Sequence, residues 1–279
     1  TISVTDGPGP VVSGPNGGVI TLALDDQNLA GGSTPANPDF AQDAITFTAG
    51  SDAIASLKFG TDLSTLSTSA GLVWSRVSDT QIVGKIGATT VVTLDLTANA
   101  GNTTATVKAT LNSNYTGHTA LGDDLAALGS VKVVATDTDG DTAQGTVNVT
   151  VSDDIPVVTL SGAASVVEGA AAITGAWNLA AGADGVTPAN FTISIDGGAA
   201  QTVAYGTGIN TGKGTLTINA NNTWSFVPAS GLNNAGGVNV NFTLSAKDGD
   251  NDTSSATHTI SVTDGPGPVV SGPNGGTQC

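Results

Sequence analysis

The chain has 279 residues, and its 7 Lys and Arg against 23 Asp and Glu give a formal charge of −16 at pH 7. That balance excludes the basic patches needed for nucleic acid or anionic membrane surfaces, and favours plain solubility or the binding of cations. A single cysteine, Cys279, excludes an internal disulfide, so the fold must be held by core burial or by metal. Val, Thr and Gly are abundant and aromatics reach only 4%, a composition of pleated strands joined by tight turns.

The opening segment TISVTDGPGPVVSGPNGG occupies Thr1–Gly18 and returns at Thr259–Gly276. Repetition of a linker-like stretch reads as one period cut from a tandem array. Residues 1–18 are the end of a preceding module, with a strand at Thr1–Asp6, followed by a Pro/Gly linker at Gly7–Gly18. Residues 19–154 form a first complete module. Strands are expected at Val19–Leu24, Asp43–Gly50, Ala55–Gly60, Leu72–Val77, Thr80–Ile86, Thr90–Thr97, Thr104–Leu111, Ser130–Thr136 and Gly145–Val151. Leu121–Gly129 reads as a single helical turn in a loop, and no other stretch has a helical period. Residues 155–264 form a second module, with strands at Val157–Gly162, Ile173–Ala180, Phe191–Asp196, Gly214–Ala220, Thr223–Pro228, Val238–Ala246 and Thr257–Val262. Residues 265–279 are the next linker and a tail, and Cys279 reads as an appended residue or a handle for attachment. No run approaches a membrane span, and any secretion signal belongs to sequence outside this segment. The fold class is all-β: two tandem Ig-like or cadherin-like antiparallel sandwiches forming an elongated rod.

A second, weaker repeat ties the modules together. VVATDTDGDTAQGTVNVTVSDDIPVV at Val133–Val158 matches LSAKDGDNDTSSATHTISVTDGPGPVV at Leu244–Val270, with Asp137 answering to Asp248, 111 positions on. The offset sets His258 in the register of the inward Val147, so it is expected to be a partly buried, hydrogen-bonded structural histidine. Trp177, Trp224 and Phe226 are expected in the core.

The same repeat carries the chemistry. Asp137, Asp139 and Asp141 alternate through D-T-D-G-D, and Asp248, Asp250 and Asp252 through D-G-D-N-D, each at the tip of the hairpin joining the last two strands. Three carboxylates on one tight turn repel each other, and a hard cation taking six to eight oxygen ligands resolves that repulsion, which points to Ca²⁺. The twelfth positions are Asn148 and Thr259, so neither copy is an EF-hand. In an up-and-down count of strands, each tip sits at the incoming end of its module. Asp248, Asp250 and Asp252 should then face Asp153 and Asp154, and Asp137, Asp139 and Asp141 should face Asp6. Asp52 and Asp184 join from the loop after the second strand. Asp25 and Asp26, or Glu168 in the second copy, come from the outgoing end, where Asp264 repeats Asp6.

Asp137–Asp141 with the DDIP linker, and SDTQIVGKIGATTVVTLDLTANAGNTTATVKATL at Ser78–Leu111, resemble repeats of giant type I-secreted bacterial adhesins of the repeats-in-toxin class. GTLTINANNTWSFVP at Gly214–Pro228 is similar to the cadherin-like repeats of such proteins. The resemblance implies extracellular, cell-surface extender modules that stack on neighbouring repeats of the same protein and are stiffened by Ca²⁺ at their linkers. They would project a distal binding domain for adhesion or biofilm formation. The glycine-rich nonapeptide calcium repeats of the toxins are absent, which fits a middle segment.

There is no G-x-S-x-G, no H-E-x-x-H and no cysteine cluster, and the histidines are only His118 and His258, so an enzyme is not expected. No small-molecule substrate, nucleic acid or membrane contact is expected of this segment. The loop Asn112–Asp124, with Tyr115 and His118, reads as a long connection between sheets, or alternatively as a glycan- or surface-binding module. A self-assembling extracellular filament is the third reading.

Overall fold

In a computed structural model of the chain, residues 2, 6–233 and 236–265 are described. Most of the strand expected at Thr1–Asp6, and the repeated linker beyond Gly265 with Cys279, lie outside them. The chain divides into two compact units. One holds the chain through Pro156 together with Ala180–Val186 and Asp248–Thr253; the other holds Val157–Leu179, Thr187–Lys247 and the chain from Ser254 onwards.

Strands of the first sandwich are β1 (Val11–Val12), β2 (Val19–Asp25), β3 (Phe40–Thr48), β4 (Ile54–Phe59), β5 (Leu72–Ser78), β6 (Gln81–Ile86), β7 (Thr89–Ala98), β8 (Thr104–Leu111), β9 (Leu125–Asp137) and β10 (Thr142–Ser152). They form a six-stranded sheet in the order β1-β3-β8-β7-β6-β5 and a four-stranded sheet in the order β2-β10-β9-β4. Period-2 alternation turns one face of each sheet inward. Ile45, Leu94, Val107 and Leu111 from one sheet and Leu22, Phe59, Val133 and Val149 from the other share a single buried core.

The second sandwich continues with β11 (Val157–Gly162), β12 (Ser165–Val167), β13 (Ile173–Ala180), β14 (Val186–Ile195), β15 (Gln201–Thr202), β16 (Gly208–Asn210), β17 (Gly214–Ile218), β18 (Thr223–Pro228), β19 (Val238–Asp248) and β20 (Thr253–Thr263). Its five-stranded sheets run β11-β13-β18-β17-β16 and β12-β20-β19-β14-β15. Trp224 and Phe226 are fully buried and Trp177 is 6% exposed. His258 packs 4.9 Å from the Trp224 ring and is within hydrogen-bonding distance of the Ala163 carbonyl through Nε2, at 3.0 Å. These are the core roles expected of them.

Three expectations are corrected. The sheets are not antiparallel throughout: β2 lies parallel to β10, pairing Val19 with Thr146 and Asp25 with Ser152. The strand β12 lies parallel to β20 in the same way. The parallel pairing still puts the β9–β10 tip beside the start of β2 and Asp153 beside Asp25. Leu121–Gly129 contains no helix: Leu125–Gly129 opens β9 and pairs with Val149–Ser152 across a bulge, since pairing with β10 outweighs weak local preference. Finally, Gly7–Gly18 is not a bare linker. Val11 and Val12 add a strand beside Thr48 and Phe47, followed by a 3-10 turn at Pro15–Gly17. Among the described residues no helix is long and apolar enough to cross a membrane.

Candidate metal centres

The two acidic hairpin tips have the same backbone frame. At the first, the Asp137 N–H donates to the Asp141 carbonyl, and the Asp141 N–H returns a 2.7 Å hydrogen bond to Asp137 Oδ1. At the second, the Asp248 N–H donates to the Asp252 carbonyl and the Asp252 N–H to Asp248 Oδ1 at 2.8 Å. The turn requires a left-handed residue at its fourth position, and the chain supplies Gly140 (φ 109°) in one copy and Asn251 (φ 92°) in the other. Each tip therefore holds its first carboxylate by a backbone hydrogen bond and directs the third and fifth residues with it, as alternating spacing predicts. Ligand atoms of Asp137, Asp139 and Asp141 lie within 4.8 Å of one another, and so do those of Asp248, Asp250 and Asp252.

What meets the two tips differs. Asp6 and Asp52 come within the same distance of Asp139. Asp139 and Asp141 stay exposed. Hydrogen bonds shared with Asp137 and Asp6 push the Asp139 carboxyl up to about 6. Asp137 opposes burial with hydrogen bonds from Asp139 and the Gly140 and Asp141 amides, which hold it below the ordinary carboxylate value.

The second tip belongs to the first compact unit and is enclosed there. Asp153, Asp184 and Asp250 form one group with ligand atoms within 4.8 Å, and Asp26, His118 and Asp153 form another. Five carboxylates share a pattern in which one oxygen accepts an N–H and the other is bare. Asp153 Oδ1 accepts from the Asp154 amide, Asp154 Oδ2 from Ser33 and Ala183, and Asp184 Oδ1 from the Asn114 side chain. Asp248 Oδ1 accepts from the Asp252 amide, and Asp252 Oδ1 from Gly122. Their second oxygens, with Asp250 Oδ1 and Asn114 Oδ1, are buried and have no hydrogen-bond partner among the described residues. No Lys or Arg pairs with any of them among those residues. Burial, aggravated by Asp250, pushes Asp153 up to about 8 and Asp248 up to about 7. Burial also raises Asp26, Asp25 and Asp184.

Seven bare buried oxygens on neighbouring residues are an arrangement that proteins rarely leave unmatched, because each unpaired polar atom out of water is costly. Six of them are carboxylate oxygens and the seventh is an amide carbonyl, a donor set that suits a hard divalent cation with six to eight oxygen ligands. The residues present therefore fit Ca²⁺.

Not every acid expected at these sites joins them. Asp25 caps the 3-10 turn Asp26–Asn28, its Oδ1 accepting from the Gln27 amide. Glu168 accepts from the Leu232 amide and lies against Gly265, while Asp264 is exposed, and neither is grouped with other acids among the described residues. Conversely, sequence reasoning gave His118 no ligand role, reading its loop as a long connection between sheets or, alternatively, as a glycan-binding surface. Tyr115 is 1% exposed and cannot offer its face to a sugar. The loop instead turns inward: Asn114 meets Asp184, Gly122 meets Asp252, and His118 lies between Asp26 and Asp124. Although burial opposes its charge, the Asp26 carboxylate beside it, the hydrogen bond to Asp124 and the nearby Asp153 raise His118 to about 9. The visible signal was that this loop is the long connection leading into the last hairpin, ending in Asp123 and Asp124.

Residues 153–261 match the family model described as a bacterial Ig domain. The comparison with curated proteins returned no match. Among solved structures, the chain is similar to titin domains Z1Z2 crystallised in complex with telethonin, at 11% identity over 95% of this chain and 100% of that one, with a TM-score of 0.43. It is similar to a protocadherin gamma-B4 extracellular domain at 16% identity, over 94% and 33%, with a TM-score of 0.30. For the human desmocollin-1 ectodomain the values are 14%, 100% and 39%, with a TM-score of 0.28. The sheets and the matched stretch together define an all-β, Ig-like sandwich repeat.

Proposed function

We propose that this chain is a structural, non-catalytic extender segment of an extracellular bacterial adhesin of the type I-secreted, repeats-in-toxin class. In this reading Ca²⁺ is held by the acids of the second hairpin tip and of the linker Asp153–Pro156. Bound there, it ties linker to tip and stiffens the chain where one repeat follows the next. A distal binding domain is thereby projected for adhesion or biofilm formation, and the partners of this segment are neighbouring repeats of the same protein. The observation that carries the reading is the set of seven buried oxygens without hydrogen-bond partners at Asn114, Asp153, Asp154, Asp184, Asp248, Asp250 and Asp252. Recurrence of the aspartate pattern at a fixed offset and the bacterial Ig match support it. The first tip, with Asp6, Asp52, Asp137, Asp139 and Asp141, is the second calcium site of the same design.

Thermal unfolding and small-angle scattering in millimolar calcium and in excess chelator test the reading. The expected result is a lower melting temperature and a less stiff particle after chelation. Identical melts and identical profiles would remove calcium from the function.

A further inference from the structure

The oxygen cluster does not account for His118. The His118 side chain, Asp26 and Asp153 are fully buried, and the three offer ligand atoms within 4.8 Å of one another. Nε2 has no hydrogen-bond partner and stands 3.3 Å from Asp26 Oδ2. That contact lacks the geometry of an N–H···O bond. It is, however, the spacing of two ligands on one tetrahedral ion: metal–ligand bonds of about 2.0–2.1 Å place neighbouring ligands about 3.3–3.4 Å apart. Behind the ring, Nδ1 is 2.5 Å from Asp124 Oδ1. Asp124 is itself fixed by the Ala120 amide at 3.0 Å. A carboxylate bound to one imidazole nitrogen sets the tautomer in which the other presents its lone pair, the usual support of a metal-binding histidine. Asp26 is oriented in turn by the Tyr115 amide, 3.4 Å from each of its oxygens, and the Tyr115 ring meets His118 edge-on at 5.4 Å.

The geometry points to a second kind of metal site in the first sandwich: Asp26, His118 Nε2 and Asp153 as ligands of a borderline divalent cation of the zinc class, with Asp124 as the positioning residue. An imidazole nitrogen suits zinc and its neighbours, whereas calcium takes oxygen. The inference does not depend on the calcium reading, because Asp26 and His118 stand outside the seven-oxygen set. Asp153 alone is common to both.

The test uses the full chain with Cys279 alkylated, so that its thiol cannot bind the probe. Zn²⁺ is titrated by equilibrium dialysis with millimolar Ca²⁺ present and again without it, and the zinc-loaded protein is examined by X-ray absorption. The expected result is one Zn²⁺ per chain in the presence of calcium, with no calcium released and one imidazole nitrogen in the shell. His118→Gln should weaken zinc binding at least about 10-fold while calcium binding persists, and Asp124→Asn should weaken it about 10- to 100-fold. The other histidine, His258, sits in the second sandwich against Ala163 and serves as internal control. Absence of bound zinc would mean that His118 is only an internal counter-charge. An all-oxygen shell, or zinc displacing calcium one for one, would mean adventitious occupation of the calcium site. Either overturns the inference, and both read out on the unmutated protein should a variant fail to fold.

Discussion

The two hairpin tips share a sequence pattern, a backbone frame and a left-handed fourth residue, yet one is open and the other enclosed. The difference lies in what each tip meets. Asp6 and Asp153 are equivalent in the repeat, and each takes the next residue's amide on Oδ1. The residue after them is Gly7 in one case and Asp154 in the other. Where Asp154 holds the Ala183 amide with its carboxylate, the matching Ser51 amide is held by the Pro8 carbonyl. Asp26, His118 and Asn114 have no counterpart at the first tip among the described residues. The same D-x-D-x-D thus yields an exposed cluster or a buried one according to a single linker residue and one long loop. Among the described residues, buried side-chain oxygens without a hydrogen-bond partner occur at the second tip and not at the first.

The largest way to test this contrast is to remove the ion. An ion binding only the folded state stabilises by about 2.7 kcal/mol when its free concentration is 100-fold above its Kd. Chelation should therefore lower the melting temperature, and the transition that moves should be the one reporting on Trp74 in the first sandwich. Calorimetry with tryptophan fluorescence of Trp74-only variants checks this. An unchanged transition in the first sandwich would contradict the enclosed site.

Next in size is the pair Asp250→Ala and Asp139→Ala, which occupy equivalent positions. In calcium, Asp250→Ala should cost about 2–3 kcal/mol, because it removes one member of a buried charge network and leaves the others unmatched. Asp139→Ala should cost much less, since its carboxylate is exposed and solvent already screens it. In chelator the first effect should reverse sign: with no cation present, Asp250 only adds repulsion to Asp153 and Asp248. Denaturant unfolding of both variants with and without calcium measures all four values. Equal losses at the two tips would sink the comparison.

How much of this was legible in sequence follows from the kind of pattern each part leaves. Strand alternation, the sandwich class and the paired tips are local or periodic, so Val147, Val149 and Val151 could be laid on His258, Ile260 and Val262 by counting. The convergence of Asp153, Asp184 and Asp250 followed from strand direction alone, because counting alternate directions over an odd number of strands gives the first and last strands the same direction, as in the parallel β2–β10 pair. The role of His118 was hidden. Its partners are Asp26, far back in the chain, and Asp124, which reads as ordinary turn chemistry. Only a closed fold shows that the loop turns inward. Leu125–Gly129 misled for the opposite reason: its local preference is weak and the strand exists through pairing with β10.

A smaller effect should appear with pH in chelator. Asp153 and Asp248 are raised to about 8 and about 7 in the folded chain, against an ordinary value of 3.8. The native state then binds more protons than the unfolded one between those limits, so stability falls as pH rises from about 4 to about 8. His118, raised to about 9, acts in the same direction from its ordinary 6.5 upwards. Calcium competes with these protons and should flatten the slope. Melting curves across that range, in chelator and in calcium, decide it; a calcium-free chain that gains stability toward pH 8 would refute the repulsive cluster.

The smallest effect isolates the turn frame that the two tips share. Gly140 has a φ of 109° with open space around a would-be Cβ, so Gly140→Ala meets no clash and is penalised only by backbone strain, of about 1 kcal/mol. Asn251 occupies the same position at φ 92°. Asn251→Gly relieves that strain but frees the unfolded chain, and the two terms should nearly cancel, leaving a change within about 0.5 kcal/mol. Both measurements belong in chelator, where the backbone term is read without the ion. If Gly140→Ala were neutral there, the left-handed turn would not be required, and the common frame of the two tips would not be what positions their carboxylates.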